Sequence, residues 1–223
     1  MHHGRGALLI TNAVDPAGQE EFDEWYIREH LPERVGGPGF LRGRRFRRIT
    51  GTPRFMALYE TETAAVLEAP ALLERLNNPT PWTQAVMPYF RDMHRSIMRV
   101  AATHGTLDGG LIMLIDLTGV EDTTLAALAG SLAAVAQQPG ICAAHLWRKT
   151  DFVSPQTAEM RLRGTPDRSY AAALGIEGTD AQPLQGVLEQ IAPQLPASSR
   201  ESAQTFRLLC ALSADQISVK QND

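Results

Sequence analysis

PGFLRGRRFRR (38–48) and PGICAAHLWRK (139–149) open alike, one in each half of the chain: a Pro-Gly followed by a strand-like run. Pro-Gly punctuates the chain as a turn, and the extended run after it fits a strand. What precedes each is alike too. GALLITNAV (6–14) is a short apolar segment without a helical stripe, and residues 18–31 follow with helical spacing. In the second half GLIMLIDLTG (110–119) is an apolar strand and TTLAALAGSLAAVAQQ (123–138) a helix.

The parallel continues downstream. TGTPR (50–54) reads as a turn between the strand at 40–49 and FMALYETE (55–62), which would pair as a hairpin. TAAVLEAPALLERLNN (63–78) is a helix interrupted at Pro70, NPTPW (78–82) a loop, and HRSIMRVAA (94–102) a fourth strand. The second half supplies RSYAAALGI (168–176) as a strand, AQPLQGVLEQIAPQL (181–195) as a helix and AQTFRLLCALS (203–213) as a last strand. Both halves thus read βαββαβ, the order of a split-βαβ, ferredoxin-like sandwich. The fold class is α+β, built from two tandem ferredoxin-like units: residues 1–103, residues 108–214, and a frayed tail at 215–223. Each unit leaves one sheet face bare and substantially apolar, so the two antiparallel sheets are expected to face each other and enclose a barrel-like core.

Composition narrows the function. With 43% hydrophobic and 21% charged residues in a chain of 223, a packed core is feasible, and a net charge of −4 argues against a nucleic-acid binder. No apolar run approaches the ~20 residues of a membrane span. Thr11 and Asn12 interrupt the N-terminal apolar segment, which removes a signal-peptide reading. Cys142 and Cys210 lie in apolar runs and read as buried free thiols of a cytoplasmic protein. P-loop, Rossmann, G-x-S-x-G and C-x-x-C motifs are all missing, so no cofactor is expected.

The first helix carries most of the candidate chemistry. At ~100° per residue, Trp25, Tyr26 and Glu29 fall within about 60° of Phe22, while Asp23, Glu24 and Arg28 point away. Pro32 biases Leu31 out of the helical region and should end the helix near His30. Glu29 on an apolar stripe needs a partner. The next strand offers several: Arg42, Arg44 and Arg48 project to one side with Phe46, Arg45 and Arg47 to the other. Either a Glu29–arginine pair fixes helix to sheet, or an arginine is left to bind an anionic or carbonyl-bearing ligand. His30 can cap the helix end or serve as a general acid or base. No second ligand stands at i+3 or i+4 from it, so no metal site is expected.

FDEWYIREHLPERV (22–35), PGFLRGRRFRR, GTPRFMALYE (51–60) and NPTPW together resemble the dimeric α/β-barrel superfamily, and within it the EthD-like and related bacterial proteins that carry a W-Y-x-x-E-H helix before a P-G-F turn. The specific match covers residues 6–100; the second half matches only in layout. The resemblance implies the barrel fold, formed in single-domain relatives between two chains and here within one, with further dimerisation expected. It implies small-molecule chemistry of isomerase, cyclase or cofactor-independent monooxygenase type, or else a non-catalytic protein whose Glu29 and His30 only fix helix to sheet. The residues proposed for a site are His30, Tyr59 and Glu29 as catalytic groups, with Arg44, Arg45, Trp25, Tyr26 and Trp82 binding an apolar or aromatic oxygenated ligand. Tyr59 is expected inside the barrel. Haem binding by His145 or His94 is a further reading.

Overall fold

The computed structural model describes residues 4–51 and 55–219. The first half runs β1 (Gly6–Val14), α1 (Gln19–Trp25), a π turn (Tyr26–His30), α2 (Leu31–Val35), β2 (Phe40–Arg48), β3 (Phe55–Thr61), a 3-10 turn (Ala64–Glu68), α3 (Pro70–Asn77), α4 (Pro81–Val86) and β4 (Phe90–Gly105). The second runs β5 (Leu111–Asp116), α5 (Asp122–Ala136), β6 (Ile141–Lys149), α6 (Ala158–Arg163), β7 (Ala172–Gly178), α7 (Ala181–Ile191), α8 (Ala197–Glu201), β8 (Gln204–Ser213) and α9 (Ala214–Val219).

All eight strands close into one antiparallel barrel in the order β1-β3-β2-β8-β5-β7-β6-β4. Within each half the order is that of the ferredoxin-like sheet, fourth-first-third-second. The halves join through β2–β8, where Arg44 faces Ala211, and through β4–β6, where Thr103 faces His145. Closure removes every sheet edge, so no strand is left to template aggregation.

Strand alternation sorts the apolar residues into three cores. Leu9, Phe46, Leu58, Met98, Ile112, Leu114, Trp147 and Phe206 fill the barrel. Leu8, Ile10, Phe55, Ala57 and Tyr59 point outward beneath the first-half helices, against Phe22, Trp25 and Tyr26. Met113, Ile115, Leu146, Leu174 and Ile176 do the same under α5 and α7. The two Pro-Gly turns match in conformation: Gly39 has φ +78° and Gly140 φ +79°. A Cβ at either would strike the following helical segment, at Val66 or Pro183. Glycine is therefore required twice, for φ and for space.

Three local readings change, and one unassigned segment is helical. The first helix does not end at His30: it widens into the π turn, where the Leu31 N–H bonds to Tyr26 O, and continues as α2. A π turn relieves the clash and the missing donor that Pro32 brings to an α-helix. NPTPW is not a loop throughout, because Thr80 caps α4 by accepting from Thr83 N, and Trp82 lies on that helix. The tail begins as helix α9, not frayed chain. Finally, α6 lies in a connection to which the sequence reading assigned no element, bracketed by Thr157 as N-cap and Gly164 as left-handed stop. Residues 52–54, in the expected hairpin turn, lie outside the described residues.

The β2 arginines are divided between two buried layers. Arg44, fully buried in the barrel, holds Glu177 of β7 through two bonds of 2.7 Å. Glu177 also meets His145 Nε2 at 3.1 Å and accepts from Gly109 N at 2.9 Å. Burial alone would raise the Glu177 pKa, but these His145 and Arg44 contacts hold it well below the usual carboxylate range. A depressed carboxylate contributes stability above its unfolded pKa of ~4.3, and loses it as pH falls towards the folded value. Glu177→Gln should therefore cost about 3–5 kcal/mol at pH 7 in urea unfolding, with the gap to the native protein narrowing below about pH 4.

Candidate active site

Trp25, Tyr26 and His30 sit on α1 and its π turn, with Tyr59 on β3 facing them. The His30 ring stacks on Trp25 at a centroid distance of 4.2 Å and meets Tyr26 edge-on at 5.0 Å. Its Nδ1 is buried without a hydrogen-bond partner. These four side chains line a small cavity of about 30 Å³, together with Arg34 of α2 and Arg95 of β4. A space of that order holds a water molecule or two, or a small ion.

The second half completes the wall. The connection from β6 to β7 spans residues 150–171, and its α6 packs against α3, α4 and the turn at 87–89 of the first half. It brings Glu159 and Arg163 to the cavity. Glu159 pairs with Arg34 at 2.5 Å, and Arg163 grips both oxygens of Asp167 at 2.7 and 2.8 Å. Neither Glu159 nor Arg163 was a sequence candidate. The Thr157–Gly164 bracket and the length of the connection, set against residues 49–54 in the first half, are the signals that could have exposed them.

Burial, followed by the charges of Arg34, Arg45 and Arg163, pushes the His30 pKa well below that of an ordinary histidine, so the ring is neutral at physiological pH. Burial raises both tyrosine pKa values, that of Tyr59 strongly, and their hydroxyls lie 3.4 Å apart. Both phenols are therefore proton donors. For Arg34, burial alone would depress the pKa, but Glu159 beside it more than offsets that.

Other candidates lie elsewhere. Glu29 does not pair with an arginine. Its Oε1 accepts from Trp25 Nε1 at 3.1 Å, Thr80 Oγ1 at 2.6 Å and Thr83 Oγ1 at 3.0 Å, which ties the first helix to the cap of α4. Arg45 lies between Phe22, Tyr26 and Phe55, 4.6–4.8 Å from each ring centre, and pairs with Asp23. It shapes the field at His30 but does not line the cavity. Arg44 is shut in the barrel with Glu177, so a ligand-binding role for it is withdrawn. Trp82 is half-buried outside the cavity and donates to Glu21. Tyr59 faces the helices and not the barrel interior, where Met56 and Leu58 point. His145 has Thr103 at Nδ1 and Glu177 at Nε2, leaving no nitrogen for an axial haem ligand. His94 borders a cavity of about 100 Å³, too small for a porphyrin. Among the described residues no group of three or more metal-ligating side chains gathers.

Two larger spaces adjoin the cavity. A groove of about 330 Å³, walled by Phe40, Val66, Ala69 and Leu72, shares Arg34 and Leu72 with it. A cleft of about 560 Å³ along residues 149–154 and 167–171 shares Arg95.

No family model matches the sequence, and no curated protein does. Solved structures do match. An anthrone oxidase-like protein superposes with a TM-score of 0.59 at 13% identity, covering 94% of this chain and 92% of its own. A protein named as a monooxygenase from Fusobacterium nucleatum gives 0.56 at 9% identity, covering 94% and 95%. Another named so, from Lactobacillus acidophilus, gives 0.56 at 8% identity, covering 94% and 97%. The chain has the ferredoxin-like, dimeric α/β-barrel fold. At these identities the likeness establishes architecture and leaves chemistry to the site.

Glu29→Ala should lower stability by about 2–3 kcal/mol in urea unfolding, through loss of three bonds to one carboxylate oxygen. Glu159→Gln should instead speed amide exchange in α6 more than tenfold while strand amides keep their protection.

Proposed function

We propose that this protein is a cofactor-independent, oxygenase-type enzyme of the EthD-like kind, acting in the cytoplasm on an apolar or aromatic compound that bears a carbonyl or phenolic oxygen. The observation that carries this reading is His30: a neutral imidazole with a free, buried ring nitrogen facing a cavity among arginines and phenols. The names borne by the structural neighbours agree with it. For location, Cys142 and Cys210 are both free, and among the described residues no helix is long and apolar enough to cross a membrane.

The shared first step is proton abstraction from an acidic C–H beside a carbonyl. A neutral imidazole accepts that proton, and nearby guanidinium groups stabilise the enolate charge that develops. Tyr59 and Tyr26 donate to the carbonyl oxygen. The resulting carbanion is the reductant for dioxygen: one oxygen atom enters the product as a carbonyl, the other leaves as water with the two hydrogens lost from carbon. The apolar groove, which shares Leu72 and Arg34 with the cavity, suits the substrate's body. Glu29 fixes the helix and takes no part in proton transfer.

Anthrone, which has an acidic CH2 and a ketone on an apolar frame, is a suitable probe. Oxygen uptake with anthrone should fall at least a hundredfold in His30→Phe, which keeps an aromatic ring on Trp25 but has no nitrogen. The variant's Tm should remain within a few degrees of the native value. Uptake unchanged in a folded His30→Phe would end the proposal.

A further inference from the structure

Around the small cavity, charge does not balance. Arg34, Arg95 and Arg163 reach it. Against them stand Glu159, paired with Arg34, and Asp167, held by both oxygens on Arg163. His30 is neutral, so three guanidinium groups face two carboxylates: one positive charge is left over. The surplus falls on Arg95, whose guanidinium makes no ion pair among the described residues. Burial, with the charges of Arg34 and Arg163, lowers its pKa to about 10, against the pull of Asp167 and Glu159. It therefore stays protonated near neutrality.

Unused donors accompany this charge. Arg34 Nη1 and Arg163 Nε are buried without partners, and their residues are only 4% and 7% exposed. Buried donors are nearly always satisfied, and the unpaired charge of half-buried Arg95 adds an attraction for an anion. Both deficits, in donors and in charge, are met by a single occupant.

We propose that the cavity is a site for a monoanion, seated between Arg34, Arg95 and Arg163. At about 30 Å³ it takes a halide or the charged head of formate, or the oxyanion of a larger ligand whose body lies in an adjoining space. Arg95 lines both the cavity and the 560 Å³ cleft, and so stands on the route from solvent. The site does not depend on His30 acting as a base, so it can be tested without turnover.

The test is thermal unfolding of the full chain in sodium chloride, bromide or formate against sodium gluconate at equal ionic strength. Gluconate as a whole is too large for the cavity, and its hydrated polyol body is mismatched to the apolar groove beside it. The small anions should raise Tm saturably, by about 3–6 °C at the plateau. The rise should vanish in Arg95→Gln and persist in Arg99→Gln, whose native residue is exposed on the same strand. A bromide-soaked crystal should give an anomalous peak in the cavity, which needs no variant. Benzoate compared with benzamide separates the two sources: stabilisation by benzoate alone, competing with formate, assigns the site to a ligand's charged head, whereas a response confined to small ions assigns it to a free anion. Equal Tm values in chloride and gluconate, an empty bromide map, or an undiminished response in Arg95→Gln would overturn the site.

Discussion

Burying an arginine obliges a fold to supply a carboxylate, and that constraint organises this barrel. β2 lies between β3 and β8 with one face against the barrel interior and the other against the first helix, so neither Arg44 nor Arg45 can reach water. Arg34, on α2, is buried as deeply. Their partners are Glu177, Asp23 and Glu159, and two of those three come from the other half of the chain. A buried ion pair adds little net stability over an apolar pair, but it penalises any arrangement that separates its members. The pairs Arg44–Glu177 and Arg34–Glu159 thus make the two halves specific for each other, while apolar contact inside the barrel supplies the bulk of the attraction.

The halves have diverged under one architecture. Both keep the strand order and the left-handed Pro-Gly turn, because closure of the sheet and entry into its second strand demand them. The second-half helix, DTTLAALAGSLAAVA, meets the packing requirement with Leu125, Leu128, Leu132 and Val135. Its first-half counterpart buries Trp25, Tyr26 and His30 in the equivalent place, and opens a π turn to do so. The second half contributes α6 as a wall for the cavity beneath the first-half helix.

Strand positions were legible from sequence because period-two alternation and Gly-Pro punctuation are local signals, and the strands at 6–14, 40–49 and 203–213 fall within a residue of those observed. The sorting of β2 arginines onto opposite faces followed from the same alternation. What could not be read was pairing across distance. Glu29 finds Thr80 and Thr83 because Thr80 caps a helix that Pro79 and Pro81 had disguised as a loop. Asp23, which the helical wheel turned towards solvent, bends back to Arg45. Glu159 meets Arg34 across 125 positions, from a helix too short to show periodicity. Pro32 was read as a stop because its cost was assessed for an α-helix, and the wider turn lowers that cost.

The proton transfer proposed for the site rests on His30 being neutral, buried and ringed by positive charge. NMR titration of the 15N-labelled His30 imidazole in the native chain measures this directly. A protonation midpoint well below the ~6.5 of an unperturbed histidine, with a ring nitrogen unprotonated throughout the neutral range, is the predicted result. A midpoint at or above 6.5 would contradict the account.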